Sequence, residues 1–219
     1  MIHLKSANVA YKGKTALSDI TLHVSQGEKL ALVGRSGSGK STLLNLLYET
    51  TDKLSNDTAF VPQEYGLVQN LSVYHNVYMG QLGQHSTLYN LINLMKPFSE
   101  QVEQVSDILK NLQLSEKLFE PVAQLSGGQQ QRTAIARALM HNGHFLLADE
   151  PVSSLDEMQS LLVMNLLCKQ FDTIIFSLHD VDLALKFCDR IIGLDHGRVV
   201  IDDRSENLNR QQLLKLYEE

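Results

Sequence analysis

The chain has 219 residues, 43% of them apolar and 20% charged, with a formal net charge of −6. These fractions are ordinary for a globular protein and exclude a disordered or collagen-like chain. The length fits one domain, or one domain with an insertion, and the acidic balance makes nucleic acid a poor partner. Two cysteines, Cys168 and Cys188, form no C-x-x-C pattern and read as buried thiols in a reducing compartment. Met1-Ile2-His3-Leu4-Lys5 starts a short apolar strand and not a secretory signal. No apolar run approaches the ~20 residues of a membrane span. A soluble, cytoplasmic chain is expected, with any span provided by another polypeptide.

Taken in chain order, residues 2–5 and 7–11 predict short strands and Leu17–Val24 a longer one. Lys29–Val33 is a continuous apolar run, the pattern of a strand buried on both faces. A Gly/Ser-rich loop follows, then a leucine-rich helix from Lys40 to Tyr48, then a strand at Thr58–Val61. From about Leu71 to Met140 the pattern is helical; Gln101–Leu112 carries apolar residues at i, i+3, i+4 spacing. Strand–helix alternation returns from Phe145, with strands at 145–148, 173–177, 190–194 and 198–201 and helices at 157–169, 180–188 and about 206–218. The expected plan is an α/β core (1–63 and 141–219) interrupted by a helical subdomain at about 64–140.

Gly34-Arg35-Ser36-Gly37-Ser38-Gly39-Lys40-Ser41 fits G-x-x-x-x-G-K-[ST]. Glycines let backbone N–H groups converge on phosphate oxygens. The helix that follows aims unpaired N–H groups and its positive dipole end at the same anion. Lys40 offers a compact charge to the terminal phosphates, and Ser41 a hydroxyl to Mg²⁺.

Parallel sheets bind ligands at the carboxyl ends of their strands, and three more such ends carry chemistry. Phe145–Ala148 delivers Asp149 and Glu150. Asp149 suits the Mg²⁺ shell, leaving Glu150 to polarise an attacking water. Thr173–Ser177 leads to His179, whose neutral imidazole can contact a γ-phosphate or hold that water. Thr58–Val61 leads through Pro62 to Gln63, an amide able to reach Mg²⁺ or water and equally able to be a solvated loop residue.

Leu125-Ser126-Gly127-Gly128-Gln129-Gln130-Gln131-Arg132 opens the helix that reaches Met140, and paired glycines there make another anion-binding helix start. This string resembles the signature of ATP-binding cassette (ABC) ATPases, and the resemblance covers nearly the whole chain. Gly34–Ser41 resembles the Walker A loop, Gln63 the Q-loop glutamine, Asp149 the Walker B aspartate and Glu150 the catalytic glutamate. Ser153-Ser154-Leu155-Asp156 is similar to the D-loop, His179 to the switch histidine, and Tyr11 to the aromatic that stacks on adenine. Residues 76–83, 129–132 and 151–156 are most similar to the phosphonate-type importer ATPases.

The fold implied is α/β, a P-loop NTPase ABC cassette with a RecA-like parallel-sheet core, a reduced N-terminal antiparallel β-subdomain and a helical insertion subdomain. The reduction is expected because Lys40 and Gln63 are only 23 positions apart, closer than is usual in the family, so that a hairpin-bearing segment is missing. The chain also stops soon after its last helix, so no appended regulatory domain is expected. The function implied is ATP binding and Mg²⁺-dependent hydrolysis. The ATP contacts would be Tyr11, Gly34, Arg35, Ser36, Gly37, Ser38, Gly39, Lys40, Ser41, Thr42 and Gln63. In trans, Ser126, Gly127, Gly128, Gln129 and Asp156 of a second copy would complete the site. Ser41, Gln63 and Asp149 would hold Mg²⁺, while Glu150, His179 and Lys40 would be catalytic. The implied partners are that second copy in a head-to-tail ATP sandwich dimer, a transmembrane permease subunit and an external substrate-binding protein, with no nucleic acid. The chain would sit in the cytoplasm, peripheral on the inner face of the cell membrane. An importer is the leading reading, beside an exporter or lipoprotein-release ATPase and a non-transport cassette.

Overall fold

The computed structural model describes residues 2–11, 13–52 and 57–218, in two compact units. The first comprises residues 1–63, 144–151 and 171–219; the second comprises 64–143 and 152–170. Residues 152–170, placed with the core in the sequence reading, fall in the second unit because the helix Glu157–Gln170 packs on the helix Gly127–Met140.

The first unit contains two sheets. β1 (Ile2–Tyr11) and β2 (Lys14–Val24) form an antiparallel pair, the whole of this small sheet among the described residues. The expected break between residues 5 and 7 is a bulge inside one strand. Ser6 has a left-handed φ of 47° and donates its N–H to Thr21 Oγ1 at 3.1 Å, shifting the register on either side. The interval in which a hairpin was expected to be missing contains residues 53–56, which lie outside the described residues.

The second sheet has six strands. They are β3 (Lys29–Val33), β4 (Thr58–Val61), β5 (Phe145–Asp149), β6 (Thr173–Ser177), β7 (Arg190–Asp195) and β8 (Arg198–Arg204), in the spatial order β4-β5-β6-β3-β7-β8. All neighbours are parallel except the β7–β8 hairpin. Leu30, Ala31, Leu32 and Val33 are fully buried, because β3 has a partner on each edge and apolar packing on both faces. Helix α1 (Lys40–Asp52) sends Leu43, Leu44 and Leu47 into the same core as Leu147, Ile175 and Ile192. The predicted last helix is broken. Leu208 is extended, and Asn209 forms a capping box with Gln212 that restarts the chain as a short helix, Arg210–Leu214, followed by a 3₁₀ turn, Lys215–Tyr217.

The second unit is helical: α2 (Val73–Tyr78), α3 (Thr87–Met95), α4 (Ser99–Asn111), α5 (Gly127–Met140) and α6 (Glu157–Gln170). Its centre is Val73, Tyr74, Val77, Val105, Leu109 and Ile135, all fully buried. Tyr78 is buried too and donates its hydroxyl to Asn90 Oδ1 at 2.6 Å. Burial first, then the neighbouring Tyr89 and Tyr74, pushes this phenol up to about 12. A raised folded pKa gives stability that is intact below pH 10 and is lost as pH rises toward 12. Urea unfolding should therefore show the wild type losing about 1 kcal/mol relative to Tyr78→Phe between pH 9 and pH 11. Parallel pH profiles for the two proteins would contradict this.

Candidate functional site

In the first unit the phosphate-loop motif runs from the end of β3 to the start of α1. Ser38 N–H bonds to Arg35 C=O at 3.1 Å, closing the loop on itself. Gly39 has φ +110°, and a Cβ there would meet Leu17 Cδ2 at 2.8 Å and Ala16 C=O at 3.0 Å, so the loop seats against β2 only with glycine at this position. Lys40 is 4% exposed, and its ammonium donates to the carbonyls of Gly34 at 2.7 Å and Arg35 at 3.1 Å. Burial holds its pKa below the usual lysine value, opposed by the charges of Glu150 and Asp149.

β5 carries Asp149 and Glu150 to the same end of the sheet. Asp149 is 4% exposed, and its Oδ1 has no hydrogen-bond partner among the described residues. Glu150 has a left-handed φ of 52°, a costly conformation for a residue with a Cβ. Its N–H is fixed to Ser177 C=O on β6 at 3.1 Å. Its Oε1 meets His179 Nε2 at 2.5 Å. An ionised carboxylate only accepts, so Nε2 carries the hydrogen in this pair. Asp180, next in the chain, caps the helix α7 (Val181–Phe187) through the N–H groups of Asp182 and Leu183 and so fixes the end of the His179 segment.

Ser36, Gly37, Gly39, Lys40, Ser41, Thr42, Gln63 and Glu150 surround one hollow of about 190 Å³ with Ala16. Six residues of the phosphate loop and its helix start thus meet Gln63 and the strand-end Glu150, although Ser36 and Glu150 are 114 positions apart in sequence. A second hollow of about 360 Å³ shares Ala16 and Gly37 with the first and is walled by Tyr11, Lys14, Thr15, His196 and Gly197. Tyr11 is 59% exposed there, its ring available to a flat ligand. The sequence reading identified Tyr11 and passed over its neighbours. In sequence, His196-Gly197 is only the link between the strands predicted at 190–194 and 198–201; in the fold, Gly197 N–H bonds to Ser38 C=O at 2.9 Å and Gly197 C=O accepts from Ser18 N–H at 2.8 Å. Only the fold brings this turn to the loop.

The second unit holds the remaining motifs. Ser126 caps α5 in a capping box: its hydroxyl accepts from Gln129 N–H at 3.4 Å, and Gln129 Oε1 accepts from Ser126 N–H at 2.9 Å. Ser126 and Gly127 are exposed, so the helix start faces solvent. Gln131, missed by the sequence reading, is fully buried and ties α5 to the 153–156 segment: its Oε1 accepts from Ser154 N–H at 2.9 Å and its Nε2 donates to Ser153 Oγ at 3.3 Å. Asp156 accepts from Gln159 N–H at 2.8 Å and remains exposed.

A mostly parallel sheet whose strand β3 turns through a glycine loop into a helix, with acids at the end of β5 and the helices α2–α5 inserted between β4 and β5, is the P-loop nucleoside triphosphatase fold in its cassette form. Solved structures agree. The dimeric, post-hydrolysis ATP-binding cassette MJ0796 bound to ADP and Pi superposes with a TM-score of 0.81 at 29% identity, over 94% of this chain and 99% of that one. Among curated relatives, a phosphonates import ATP-binding protein PhnC from Rhizobium meliloti (strain 1021) is 36% identical over 99% of this chain and 86% of its own length. A second, from Trichodesmium erythraeum (strain IMS101), is 39% identical over 100% of this chain and 96% of its own. The family described as ABC transporter matches residues 17–153. The chain belongs to the ABC transporter family.

Proposed function

We propose that the chain is the ATP-hydrolysing subunit of an ABC importer, with phosphonate-like cargo. The observation that carries the catalytic part is the hollow in which Lys40, Ser41, Gln63 and Glu150 converge, with His179 bonded to Glu150. The importer part is supported by the names of the relatives, which are phosphonate import ATP-binding proteins along their length.

The triphosphate lies along the loop, with backbone N–H groups and the dipole of α1 facing it. Lys40 compensates charge on the terminal phosphate. The residues also fit a divalent cation: Asp149 Oδ1 is buried with no hydrogen-bond partner among the described residues, and such an atom is normally satisfied. Ser41, Gln63 and Asp149 would hold Mg²⁺, which supplies charge neutralisation when bound. Among the described residues there is no cluster of three or more His, Cys, Asp or Glu able to hold a metal alone, so the protein offers one carboxylate, a hydroxyl and an amide. Glu150 orients a water whose oxygen attacks the γ-phosphorus as the bond to the β-phosphate oxygen breaks. The water's proton passes to the carboxylate, and ADP and inorganic phosphate leave. His179 keeps Glu150 aimed through the Nε2–H bond.

Positioning and charge neutralisation dominate phosphoryl transfer. The exposed Ser126-Gly127-Gly128 helix start of a second copy supplies both by closing over the nucleotide, with Gln129 and Asp156 beside it. Two-fold symmetry then forms two sites together. Supporting this, the solved relative is a dimer. In keeping with the relatives' names, which describe the ATP-binding part of an import system, a separate permease moves the cargo; no helix among the described residues is long and apolar enough to cross a membrane. The helical unit, following Gln63 in the chain, passes closure and opening to that permease at the inner membrane face, and an external binding protein delivers the cargo. Co-expression with the permease should yield a co-purifying complex whose ATPase rate exceeds that of the isolated chain. Equal rates with and without the permease would contradict the coupling.

A further inference from the structure

We propose that Tyr217 is a positioning residue for the phosphate loop, with the C-terminal segment 210–218 acting as a strap that fixes Gly34 at the head of the loop. The proposal rests on reading residues 34–41 as the triphosphate loop.

Gly34 lies just beyond the last β3–β7 pair, Val33↔Gly193, so its N–H has left the sheet ladder. The residue is buried, and a buried N–H needs a partner. That partner is the Tyr217 hydroxyl, which accepts at 3.2 Å from 183 positions away. Only glycine fits here: the φ is +141°, and a Cβ would lie 2.2 Å from Leu194 C=O, so no side chain restrains the backbone and the hydroxyl bond helps to hold it. The carbonyl of the same residue accepts from Lys40 Nζ at 2.7 Å, and that of Arg35 does so at 3.1 Å. One residue, Gly34, is therefore held by Tyr217 through the N–H of the Val33–Gly34 peptide and holds the phosphate lysine through the C=O of the Gly34–Arg35 peptide. Releasing the N–H lets Gly34 change its φ and ψ, which turns its carbonyl and moves the Lys40 anchor.

The strap is itself fastened. Arg210 Nε pairs with Asp182 at 3.0 Å, and Leu213 is fully buried. Leu216 fills the space left by Gly193, where a Cβ would come within 2.8 Å of Leu216 Cδ1. Arg35 also reaches Glu218 C=O at 3.5 Å. Burial raises the phenol's pKa, which keeps it neutral at working pH.

The test is Tyr217→Phe, which keeps the ring and removes the acceptor. ATPase kinetics should show KM for ATP rising about 3- to 10-fold with kcat within two-fold, the cost of an imperfectly aimed site (order of 1 kcal/mol). The Kd of inorganic tripolyphosphate should rise by the same factor, because the defect lies at the phosphate loop. The thermal midpoint should stay within a few degrees. Unchanged KM and Kd in a folded variant would overturn the proposal. So would a variant that fails to fold, since the hydroxyl would then support the unit as a whole and not aim the loop. Wild-type protein that binds neither ATP nor tripolyphosphate would instead refute the triphosphate reading beneath it.

Discussion

Glu150→Gln is expected to bind ATP as well as the wild type, to lose about 10²- to 10⁴-fold in hydrolysis rate, and to accumulate as a nucleotide-bound dimer. The substitution is nearly isosteric. The amide Oε1 still accepts from His179 Nε2, whose contact with the carboxylate is 2.5 Å, so the left-handed backbone at residue 150 and its bond to Ser177 need not change. What disappears, in the proposed mechanism, is the base that takes the water's proton. The substitution also removes one of two adjacent negative charges facing the phosphates, so closure is favoured and opening, which needs the γ-phosphate cleaved, is blocked. Light scattering with Mg-ATP should double the mass of the variant. A variant that stays monomeric under saturating nucleotide, or hydrolyses at the wild-type rate, would remove Glu150 from its role.

Lys40→Ala should weaken ATP binding about 30- to 100-fold, from loss of roughly 2–3 kcal/mol of charge-assisted hydrogen bonding. The fold should tolerate the change. Lys40 is buried at a cost, as its lowered pKa shows, and what it leaves behind are the carbonyls of Gly34 and Arg35 at the edge of an open hollow. Titration calorimetry separates the two effects: affinity falls while the thermal midpoint moves by a few degrees. An unchanged Kd would end the phosphate-loop assignment.

Much of the first unit is readable from sequence because its strands are buried on both faces. Lys29–Val33, Thr58–Val61 and Thr173–Ser177 are continuous apolar runs, and the structure has strands over those residues. Site residues follow directly, since each motif begins where such a run stops. Long-range backbone pairing is not readable. Nothing local in His196-Gly197 announces a bond to Ser38, and nothing in Tyr217 announces one to Gly34. Gln131 sits in a polar run, Gln129-Gln130-Gln131, yet only it turns inward, because its amide matches the Ser153–Ser154 backbone and hydroxyl. Local capping explains the other differences. Asn209 starts a new helix where a continuous one over about 206–218 is expected, and Ser6 bulges a single strand where two, 2–5 and 7–11, are expected.

The central claim is that one triphosphate is shared by two copies of the chain, and a crystal structure of Glu150→Gln with Mg-ATP tests it most directly. The account predicts two nucleotides, each with its phosphates on Gly34–Ser41 of one protomer, its base against Tyr11, and its γ-phosphate capped by the Ser126-Gly127-Gly128 turn of the partner. Nucleotide bound away from Lys40, or enclosed by a single protomer, would contradict it.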